Sequence, residues 1–523
     1  MDSSIPILIV GAGPTGLTMA CELARYGISF RIIEQKTERT QTSNALGIQT
    51  RTLELLDDMG IVDRFLAVGN KVFAAHLHAE GKDIARLPLD QLDSFYQFIL
   101  MVPQSTTEKI LEERLAELGQ MVSRETRLIS FAETANGITA TLQKNNKKEV
   151  VNAQYLIACD GSHSSIRENL LIPFPGEDIP QQFVVADTTL KTNLPNDELT
   201  IFFSRKKIIA FFPIETERYR IVANLGKKTK KQVSPETISQ IIEKRSRGLF
   251  ILKNTTWISS FWIHSNVIKN MQRGNVFFAG DSAHIHSPVG GQGMNTGIQD
   301  VYNLAWKLSL VVRGRGQTRL LESYEMERHP VIKAIVTLTE KATKFMLTAN
   351  PLLVGLRNFL MPTVAKIPAF RKKIAGRLTQ LAISYKKSPI INYHSVMSSK
   401  SPQPGERAPD VVLNAHTRLA NIFRGTHHTL LFFTGLSPTE KDLDDIHKMS
   451  ECLESRYPHL IKTGILSSKE NKNYVFDEQL SAHQRYHVTY PGVYVIRPDQ
   501  HIGYCANQLN EQGLFDYFAN LLL

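Results

Sequence analysis

The sequence has little cysteine, and what it has is widely scattered. No two of its four cysteines show CxxC or zinc-ligand spacing; they are Cys21, Cys159, Cys452 and Cys505. This spacing excludes thiol–disulfide exchange at a CxxC motif and a zinc centre built on cysteine pairs. Cys21 and Cys159 fall in stretches with core patterns. We therefore interpret them as small apolar side chains in a reducing compartment.

A long uninterrupted apolar run is also missing. The stretch from Leu347 to Ala369 is fairly apolar, but Arg357, Asn358, Lys366 and several prolines interrupt it. We interpret it as helices packed on a domain, and contact with a membrane surface stays open. The first residues run directly into a strand pattern, which leaves no room for a signal or transit peptide. These features predict a cytoplasmic protein without stable membrane insertion.

Acidic residues are outnumbered by basic ones. Lys and Arg total 61 against 50 Asp and Glu, which gives a net charge of +11. Basic clusters at Arg205 to Lys207, Lys227 to Lys231 and Arg371 to Lys373 are compatible with nucleic-acid binding, but no nucleic-acid motif accompanies them. We therefore favour a solvated surface that also attracts anionic cofactors. The length predicts two or three domains.

One stretch, Ile5 to Glu34, organises the chain. An apolar strand pattern is followed by Gly11, Gly13 and Gly16 at GxGxxG spacing, by an apolar helix pattern, and by a second strand that ends on an acid. This order predicts a complete βαβ dinucleotide-binding unit. Gly11 permits the tight turn, Gly13 lets the backbone approach a pyrophosphate, and Gly16 lets the helix pack closely. The candidate ligands here are Gly11, Gly13, Pro14, Thr15, Gly16 and Glu34, whose carboxylate is placed to accept hydrogen bonds from ribose hydroxyls.

Two later strand patterns also end on an acid. YLIACDG, from Tyr155 to Gly161, carries Asp160, and FFAGD carries Asp281. The loop from Pro288 to Gly293 lacks bulky side chains, so its backbone can approach a flat ring. A helix predicted to begin at Asn295 offers N–H groups that can stabilise negative charge on such a ring.

These elements occur together in one known family. GAGPTG with Glu34, the CDG element and AGDSAHIHSPVGGQGMNTG stand in the order of the class A flavoprotein monooxygenases. Roughly the first three quarters of the chain resembles the aromatic hydroxylases related to p-hydroxybenzoate hydroxylase and phenol hydroxylase. The resemblance implies an α/β fold, with an FAD-binding Rossmann-type domain of the glutathione-reductase kind and an inserted antiparallel substrate sheet. It also implies FAD as cofactor and NADPH or NADH as reductant.

The resemblance assigns roles to individual residues. The backbone of Met294 and Asn295 would contact the pyrimidine end of the flavin, and Pro288 would lie near its reactive face. Asp281 would hold ribityl hydroxyls, with a helix cap as the alternative, and Gln104 would contact FAD, with a plain surface helix residue as the alternative. The candidate FAD ligands are Gly11, Gly13, Pro14, Thr15, Gly16, Glu34, Gln104, Asp160, Asp281, Pro288, Gly293, Met294 and Asn295.

The sequence departs from the family pattern at three positions. His163 stands where many relatives have arginine, although Asp160 and Arg167 match the family's second fingerprint. Asn44 also replaces an arginine, and Leu46 stands where phenol hydroxylases carry an acid that helps to deprotonate the phenol. Leu46 cannot accept a proton, so we expect a larger aromatic or polyketide-like substrate. We predict no catalytic acid or base, because in this family the flavin carries the chemistry.

The substrate sheet is predicted from the alternating strand and turn patterns between about Phe174 and His264. Five aromatic residues are candidates for one wall of its pocket, with plain core packing as the alternative: Phe202, Phe203, Phe211, Phe212 and Trp262. His284 and His286 lie two apart near an acid, which is also compatible with a metal site. The flavin motif explains both histidines without a metal, so we predict no metal ligand.

We divide the chain into a monooxygenase region over residues 1–385, a linker over 386–404 and a last domain over 405–523. The region contains the sheet insert at about 174–270 and helices at about 318–385. The tail, from PGERAPDVVL to YVIRPDQHIGYCA, resembles the thioredoxin-like C-terminal domain of phenol, hydroxyphenylpropionate, polyketide and rifampicin hydroxylases. Because it lacks CxxC, we expect a packing or assembly role, and a homodimer is left open.

The predicted activity is that of an FAD-dependent, NAD(P)H-consuming monooxygenase. The resemblance implies that a flavin C4a-hydroperoxide delivers one oxygen atom to an aromatic or polyketide-like substrate. The expected partners are this substrate and oxygen, without nucleic acid. The lack of a second GxGxxG unit agrees with a nicotinamide that visits transiently. Two alternatives stay open: a flavin hydroxylase that inactivates an antibiotic such as a rifamycin or tetracycline, and a non-catalytic FAD-binding scaffold.

Overall fold

The computed structural model describes residues 3–40, 45–80, 82–135, 137–204, 207–226, 233–287, 290–348, 350–393 and 398–523. Several positions singled out in the sequence lie outside these ranges: Asn44, Pro288, Arg205 and Lys206, and the basic cluster from Lys227 to Lys231.

The strands, numbered along the chain, are β1 (Ser3–Val10), β2 (Phe30–Ile33), β3 (Gly47–Ile48), β4 (Asn70–Val72), β5 (Ala74–Ala79), β6 (Lys82–Pro88), β7 (Ile99–Met101), β8 (Thr126–Thr134), β9 (Gly137–Lys144), β10 (Lys147–Ala158), β11 (Gly176–Lys191), β12 (Glu198–Ser204), β13 (Lys207–Glu215), β14 (Arg218–Gly226), β15 (Ile251–Val267), β16 (Gln272–Arg273), β17 (Val276–Phe278), β18 (His284–Ile285), β19 (Asn392–Tyr393), β20 (His428–Phe433), β21 (Ile461–Ser467), β22 (Val475–Phe476), β23 (Gly492–Ile496) and β24 (Ile502–Ala506).

The helices are α1 (Pro14–Arg25), α2 (Thr50–Asp58), α3 (Val62–Val68), α4 (Gln104–Glu117), α5 (Ser165–Asn169), α6 (Pro235–Ser246), α7 (Gly293–Val312), α8 (Arg319–Met346), α9 (Pro351–Val364), α10 (Pro368–Leu378), α11 (Leu419–Phe423), α12 (Glu440–Arg456), α13 (Ser481–Tyr486) and α14 (Glu511–Ala519). Within the described ranges, no helix is long and apolar enough to cross a membrane.

The first sheet carries the GxGxxG unit. Its parallel strands lie in the order β17-β10-β1-β2, and β16 and the hairpin of β8 and β9 extend it by antiparallel pairing. Helix α1 connects β1 to β2 and packs against α7 and α4. Ile7, Leu8 and Ile9 are fully buried, because helices cover this part of the sheet. The predicted βαβ unit is therefore confirmed.

The second sheet has the order β18-β15-β11-β14-β13-β12-β5-β6. Its pairs are antiparallel except for β5 and β12, which run parallel because β5 enters from an earlier part of the chain. The strands between about Phe174 and His264 pair antiparallel with one another, as predicted, and the parallel pair involves β5, which lies outside that stretch. Helix α6, which the strand patterns did not indicate, covers one face. The opposite face packs against Leu46, against the small antiparallel sheet β3-β7-β4 and against helices α8 and α9.

The third sheet has the order β19-β24-β23-β20-β21-β22. Strands β20 and β21 are parallel and joined by α12, whereas β20, β23 and β24 are antiparallel neighbours. Buried hydrogen bonds connect the region of this sheet to helix α2. Arg51 Nη2 of α2 donates to the Asp499 carbonyl at 2.7 Å, and Arg407 Nη1 donates to Glu54 Oε1 of α2 at 3.0 Å. Cys505 is buried and Cys452 exposed, and both thiols are free.

Helix α4 begins at Gln104, and its N-cap, Pro103, makes no side-chain hydrogen bond. Gln104 therefore occupies the first turn. Its side chain accepts from Ala45 N–H outside the helix and donates to Glu108 within it.

Candidate functional site

Three motifs that are distant in the sequence meet at the ends of the parallel strands. Gly11 has φ +102°, and a Cβ atom there would lie 2.3 Å from the Cys159 carbonyl oxygen, so the GxGxxG turn rests on the CDG element. A Cβ atom at Gly280 would lie 2.6 Å from Thr15 Oγ1, and one at Gly297 would lie 2.4 Å from the same atom. The GD loop and the start of α7 therefore pack directly on the start of α1.

The start of α1 is arranged like an anion site. Its N-cap Gly13 provides no side-chain cap, and a Cβ atom at Gly13 would meet no protein atom within 4 Å. The first N–H groups of a helix have no partner within the helix. Beside them, Glu34 accepts hydrogen bonds from Ala12 N–H at 3.0 Å and Lys36 N–H at 3.1 Å while its side chain stays partly exposed. A phosphate can therefore approach the turn, and a hydroxyl can approach the carboxylate.

Asp160 and Arg167 belong to the same cleft. Asp160 Oδ2 accepts from Ile166 N–H at 3.4 Å, whereas its buried Oδ1 has no hydrogen-bond partner among the described residues. Burial raises the pKa of Asp160, which is the expected effect when water is removed from a carboxylate. Arg167 Nη1 donates to the Ser282 carbonyl at 3.1 Å and links this element to the GD loop. His163, the departure from the family pattern, is exposed.

Asp281 faces the cleft without a protein partner. Its side chain is exposed, and no hydrogen bond to its carboxylate occurs within the described ranges. The helix-cap alternative is therefore wrong for the residues described. Loss of surrounding water raises the pKa of Asp281, although the nearby His284 acts in the opposite direction. A carboxylate that a ligand can reach, yet that lies among protein atoms, is well placed to accept ligand hydroxyls.

Asn295 fixes the glycine loop at the start of α7. The helix begins at Gly293, so Met294 and Asn295 lie in its uncapped first turn. Asn295 is fully buried; its Oδ1 accepts from Gln49 N–H at 2.8 Å, and its Nδ2 donates to the Gly47 carbonyl at 2.8 Å and the Gly291 carbonyl at 3.0 Å. Because the side chain is fully used, the backbone N–H groups of Met294 and Asn295 are what this turn can offer to a ligand.

We expect Asn295→Asp to weaken both the fold and FAD binding. The substitution replaces the donor with an oxygen that faces two carbonyl groups, which costs about 2–3 kcal/mol of unfolding free energy. Chemical denaturation and FAD titration would measure the two effects. Asn471→Asp is the matched control, because exposed Asn471 uses only its Oδ1 as an acceptor, from Asn473 N–H. An Asn295→Asp protein as stable as this control would contradict the role of the amide.

His284 belongs to a buried ion cluster. Its Nε2 lies 2.8 Å from Asp300 Oδ2, Arg328 Nε donates to Asp300 Oδ1 at 2.8 Å, and Gly280 N–H donates to Asp300 Oδ2 at 3.2 Å. Burial alone would raise the pKa of Asp300, but Arg328 and His284 hold it below its usual value. In the part of the chain that the structure describes, no group of His, Cys, Asp or Glu could hold a metal. His284 supports the GD loop through Asp300, which also accepts from Gly280 N–H.

His286 is a second histidine held by the backbone. Its Nδ1 bonds to the Ser287 carbonyl at 2.8 Å, and burial lowers its pKa to about 4. The ring is therefore neutral at physiological pH.

Ala45, just before Leu46, is held from two sides. Gln104 Oε1 accepts from Ala45 N–H at 3.1 Å and its Nε2 donates to Glu108 at 2.9 Å. Arg220 Nη1 donates to the Ala45 carbonyl at 3.2 Å and forms a bidentate pair with Asp187 at 2.7 and 2.9 Å. Arg220 and Asp187 were missed from the sequence, because they stand on different strands and form no motif.

The surroundings of Leu46 are apolar. Leu46 clusters with Val72, Met101 and Ile214, and Phe212 packs against this group. The predicted aromatic wall is divided, because Phe202 and Phe211 form the core under α6 and Phe203 packs towards α8 and α9. Placing all five aromatic residues on one wall is therefore wrong, since neighbouring residues of a strand face opposite sides.

The cleft and the fold are those of a dinucleotide-binding protein, and comparisons with known proteins identify its family. The family described as FAD binding domain matches residues 4–339. The chain is 35% identical over 407 residues to 6-methylpretetramide 4-monooxygenase of Streptomyces rimosus, covering 73% of this chain and 70% of that protein. It is 30% identical to the rifampicin monooxygenase of Streptomyces venezuelae, covering 86% and 92%.

A solved structure of a hydroxylase is similar to this chain over nearly its whole length. OxyS, the anhydrotetracycline hydroxylase of Streptomyces rimosus, superposes with a TM-score of 0.79 at 28% identity and covers 99% of each chain. The chain thus belongs to the family of FAD-binding, flavin-dependent aromatic monooxygenases, and its cofactor is FAD.

Proposed function

We propose that the protein is an NAD(P)H-consuming hydroxylase of a polycyclic aromatic or polyketide-like substrate. The observation that carries this proposal is the apolar cluster around Leu46 beside the uncapped start of α7. Leu46 cannot deprotonate a simple phenol, and among the described residues this cluster contains no Asp or Glu. The 35% identical relative is named 6-methylpretetramide 4-monooxygenase, and we take a polycyclic substrate of this kind as the nearest model for this chain.

FAD fits the residues of the cleft. The open backbone at Gly13 suits the pyrophosphate, the reachable carboxylates of Glu34 and Asp281 suit ribose and ribityl hydroxyls, and the first turn of α7 suits the pyrimidine ring. We assign Gln104 to holding the backbone of Ala45 beside the cofactor. When bound, FAD supplies the redox chemistry by taking a hydride from NAD(P)H and activating oxygen at its C4a position.

The protein's own contribution is positioning. Asn295 fixes the glycine loop, and Arg220 and Gln104 fix Ala45 at the edge of the substrate sheet. The substrate then lies against apolar side chains that exclude water. One oxygen atom enters the substrate as a hydroxyl group, the other leaves as water, and NAD(P)H provides the two electrons.

We propose a packing or assembly role for the tail. A parallel β20-α12-β21 unit followed by the antiparallel β23 and β24 is compatible with a thioredoxin-like arrangement without its CxxC. We propose that residues 1–385 form the monooxygenase region, residues 386–404 a linker and residues 405–523 the last domain. Strand β19, inside the linker range, pairs with β24 and attaches the linker to the tail.

The test is oxidation of NADPH and NADH by the purified, FAD-loaded protein. Phenols, hydroxyphenyl acids, polycyclic quinones, anhydrotetracycline and rifampicin would be compared, with oxygen uptake and hydrogen peroxide followed together. We expect a polycyclic compound to accelerate oxidation and to suppress peroxide release, because oxygen then enters the substrate. Acceleration by simple phenols alone would contradict the substrate class, and FAD-loaded protein that oxidises neither nucleotide would favour a non-catalytic scaffold.

A second candidate is antibiotic inactivation, which the rifampicin monooxygenase relative supports. Expression in a sensitive bacterium should then raise the inhibitory concentration of rifampicin in proportion to the protein level. A product of rifampicin oxidation without such protection would argue against this role.

A further inference from the structure

Helix α9 buries a cation and exposes large apolar side chains, unlike an ordinary surface helix. Its cation Arg357 is buried, with the guanidinium 4.5 Å from the ring centroid of Phe203 and Nη1 donating to the Met346 carbonyl at 3.2 Å. Its outer side carries Leu352 and Phe359, which are 83% and 77% exposed. A helix on the surface of a globular protein normally turns its apolar stripe inward and its charges outward.

The apolar surface extends beyond α9. A groove of about 560 Å³ runs between α8, α9, α10 and the strands β5 and β6 at one edge of the second sheet. Its exposed rim and the outer side of α9 include Leu352, Leu353, Leu356, Phe359, Ile367 and Phe370. Contiguous exposed apolar surface of this kind marks an interaction site.

The segment of the chain that carries α9 and α10 has charges of one sign only. Between Glu340 and Glu406 the sequence contains no Asp or Glu. Exposed cations in this stretch include Lys366 and Lys373, while Lys344 at the groove pairs with Glu177 at 2.6 Å. An apolar helix surface with flanking lysine and arginine is the composition that binds anionic lipid surfaces.

We propose that α9 and α10 dock the protein on an anionic membrane surface. The exposed leucine and phenylalanine side chains enter the boundary between headgroups and acyl chains, and the flanking cations contact the headgroups. A second copy of this chain would cover the same apolar residues. However, a symmetric contact would bring two acid-free, cationic stretches together, and like charges oppose that arrangement. An anionic membrane surface can cover the apolar side chains and also attract the flanking cations.

Sedimentation of the full-length, FAD-loaded protein with vesicles tests the proposal. We expect the protein to bind vesicles of phosphatidylcholine with phosphatidylserine more strongly than vesicles of phosphatidylcholine alone. Leu356→Gln/Phe359→Gln and Lys366→Glu/Lys373→Glu should each lower the partition coefficient about tenfold or more, because one removes apolar insertion and the other headgroup attraction. All four residues are exposed, so FAD content and Tm should stay normal.

Two matched controls separate this surface from general effects. Lys144→Glu/Lys147→Glu changes the net charge equally at an exposed hairpin turn, and Met121→Gln removes an apolar side chain that is 83% exposed elsewhere. Both should bind vesicles like the unsubstituted protein. The proposal is overturned if the protein ignores anionic vesicles or if the Lys144/Lys147 variant loses as much binding. It is also overturned if the α9 variant dissociates a dimer in light scattering while vesicle binding stays unchanged.

Discussion

Alanine in place of Gly16 should give a protein that holds no FAD and unfolds far more easily. The new Cβ atom would lie 1.9 Å from the Gly11 carbonyl oxygen and 3.4 Å from Cys159 Cβ. Gly11 lies in the turn between β1 and α1, and Cys159 lies at the end of β10. Since neither can yield easily, α1 would have to move away from the sheet. We expect a loss of about 3 kcal/mol or more of unfolding free energy, the upper end for overpacked sites. Flavin absorbance after purification and chemical denaturation would measure both effects.

Alanine in place of Gly13 is the matched comparison. Its Cβ atom would meet no protein atom within 4 Å, so the protein without FAD should be as stable as the unsubstituted one. If Gly13 faces the pyrophosphate, the methyl group should weaken FAD binding about 10- to 100-fold, the equivalent of about 1–3 kcal/mol. Unchanged FAD affinity in the Gly13 variant would contradict this placement. Normal flavin content in the Gly16 variant would contradict the packing argument.

The sequence predicts the parts of this protein that depend on local patterns. Gly11, Gly13 and Gly16 stand between a buried strand and a helix, and backbone sterics leave few residues that can occupy such a turn. Asp281 could be predicted in the same way, as an acid at the end of a buried strand. Such residues are informative because each position is constrained by its immediate neighbours in the chain.

The parts that could not be predicted depend on contacts between distant residues. Arg220 reaches Ala45, which lies 175 residues earlier, and pairs with Asp187 on another strand. Nothing in the sequence around Arg220 indicates these partners. The prediction of a single aromatic wall was wrong for a related reason. Phe211 and Phe212 are adjacent in the chain, but the geometry of a strand places Phe211 under α6 and Phe212 towards Leu46. Which face of a sheet is covered is decided by the tertiary fold.

The second prediction with a large expected effect concerns the charged side chains between the third sheet and helices α7 and α8. Arg497 donates to Glu327 at 2.6 and 2.9 Å and to Asp499 Oδ1 at 3.0 Å, and Lys307 donates to Glu327 at 2.7 Å. Arg497, Glu327 and Lys307 are fully buried. Arg497→Met would leave two carboxylates against one cation, away from water. We expect a loss of about 3–5 kcal/mol of unfolding free energy, measured by chemical denaturation at neutral pH.

Acidification should remove the same stabilisation. Burial alone would raise the pKa of Glu327, but Arg497 and Lys307 hold it well below its usual value. A carboxyl group with a lowered folded-state pKa stabilises the protein above its unfolded pKa, near about 4, and loses this contribution as the pH falls further. The unsubstituted protein should therefore lose stability below about pH 4, and the Arg497→Met protein should lose less over the same range.

A charge-balanced variant decides whether electrostatics cause the effect. Arg497→Met/Asp499→Asn removes one charge of each sign and leaves Lys307 paired with Glu327. If uncompensated charge is the cause, this double variant should be more stable than Arg497→Met alone, although it lacks more hydrogen bonds. A double variant that loses the sum of both single effects would instead show that the hydrogen bonds and the packing of the arginine hold the third sheet in place.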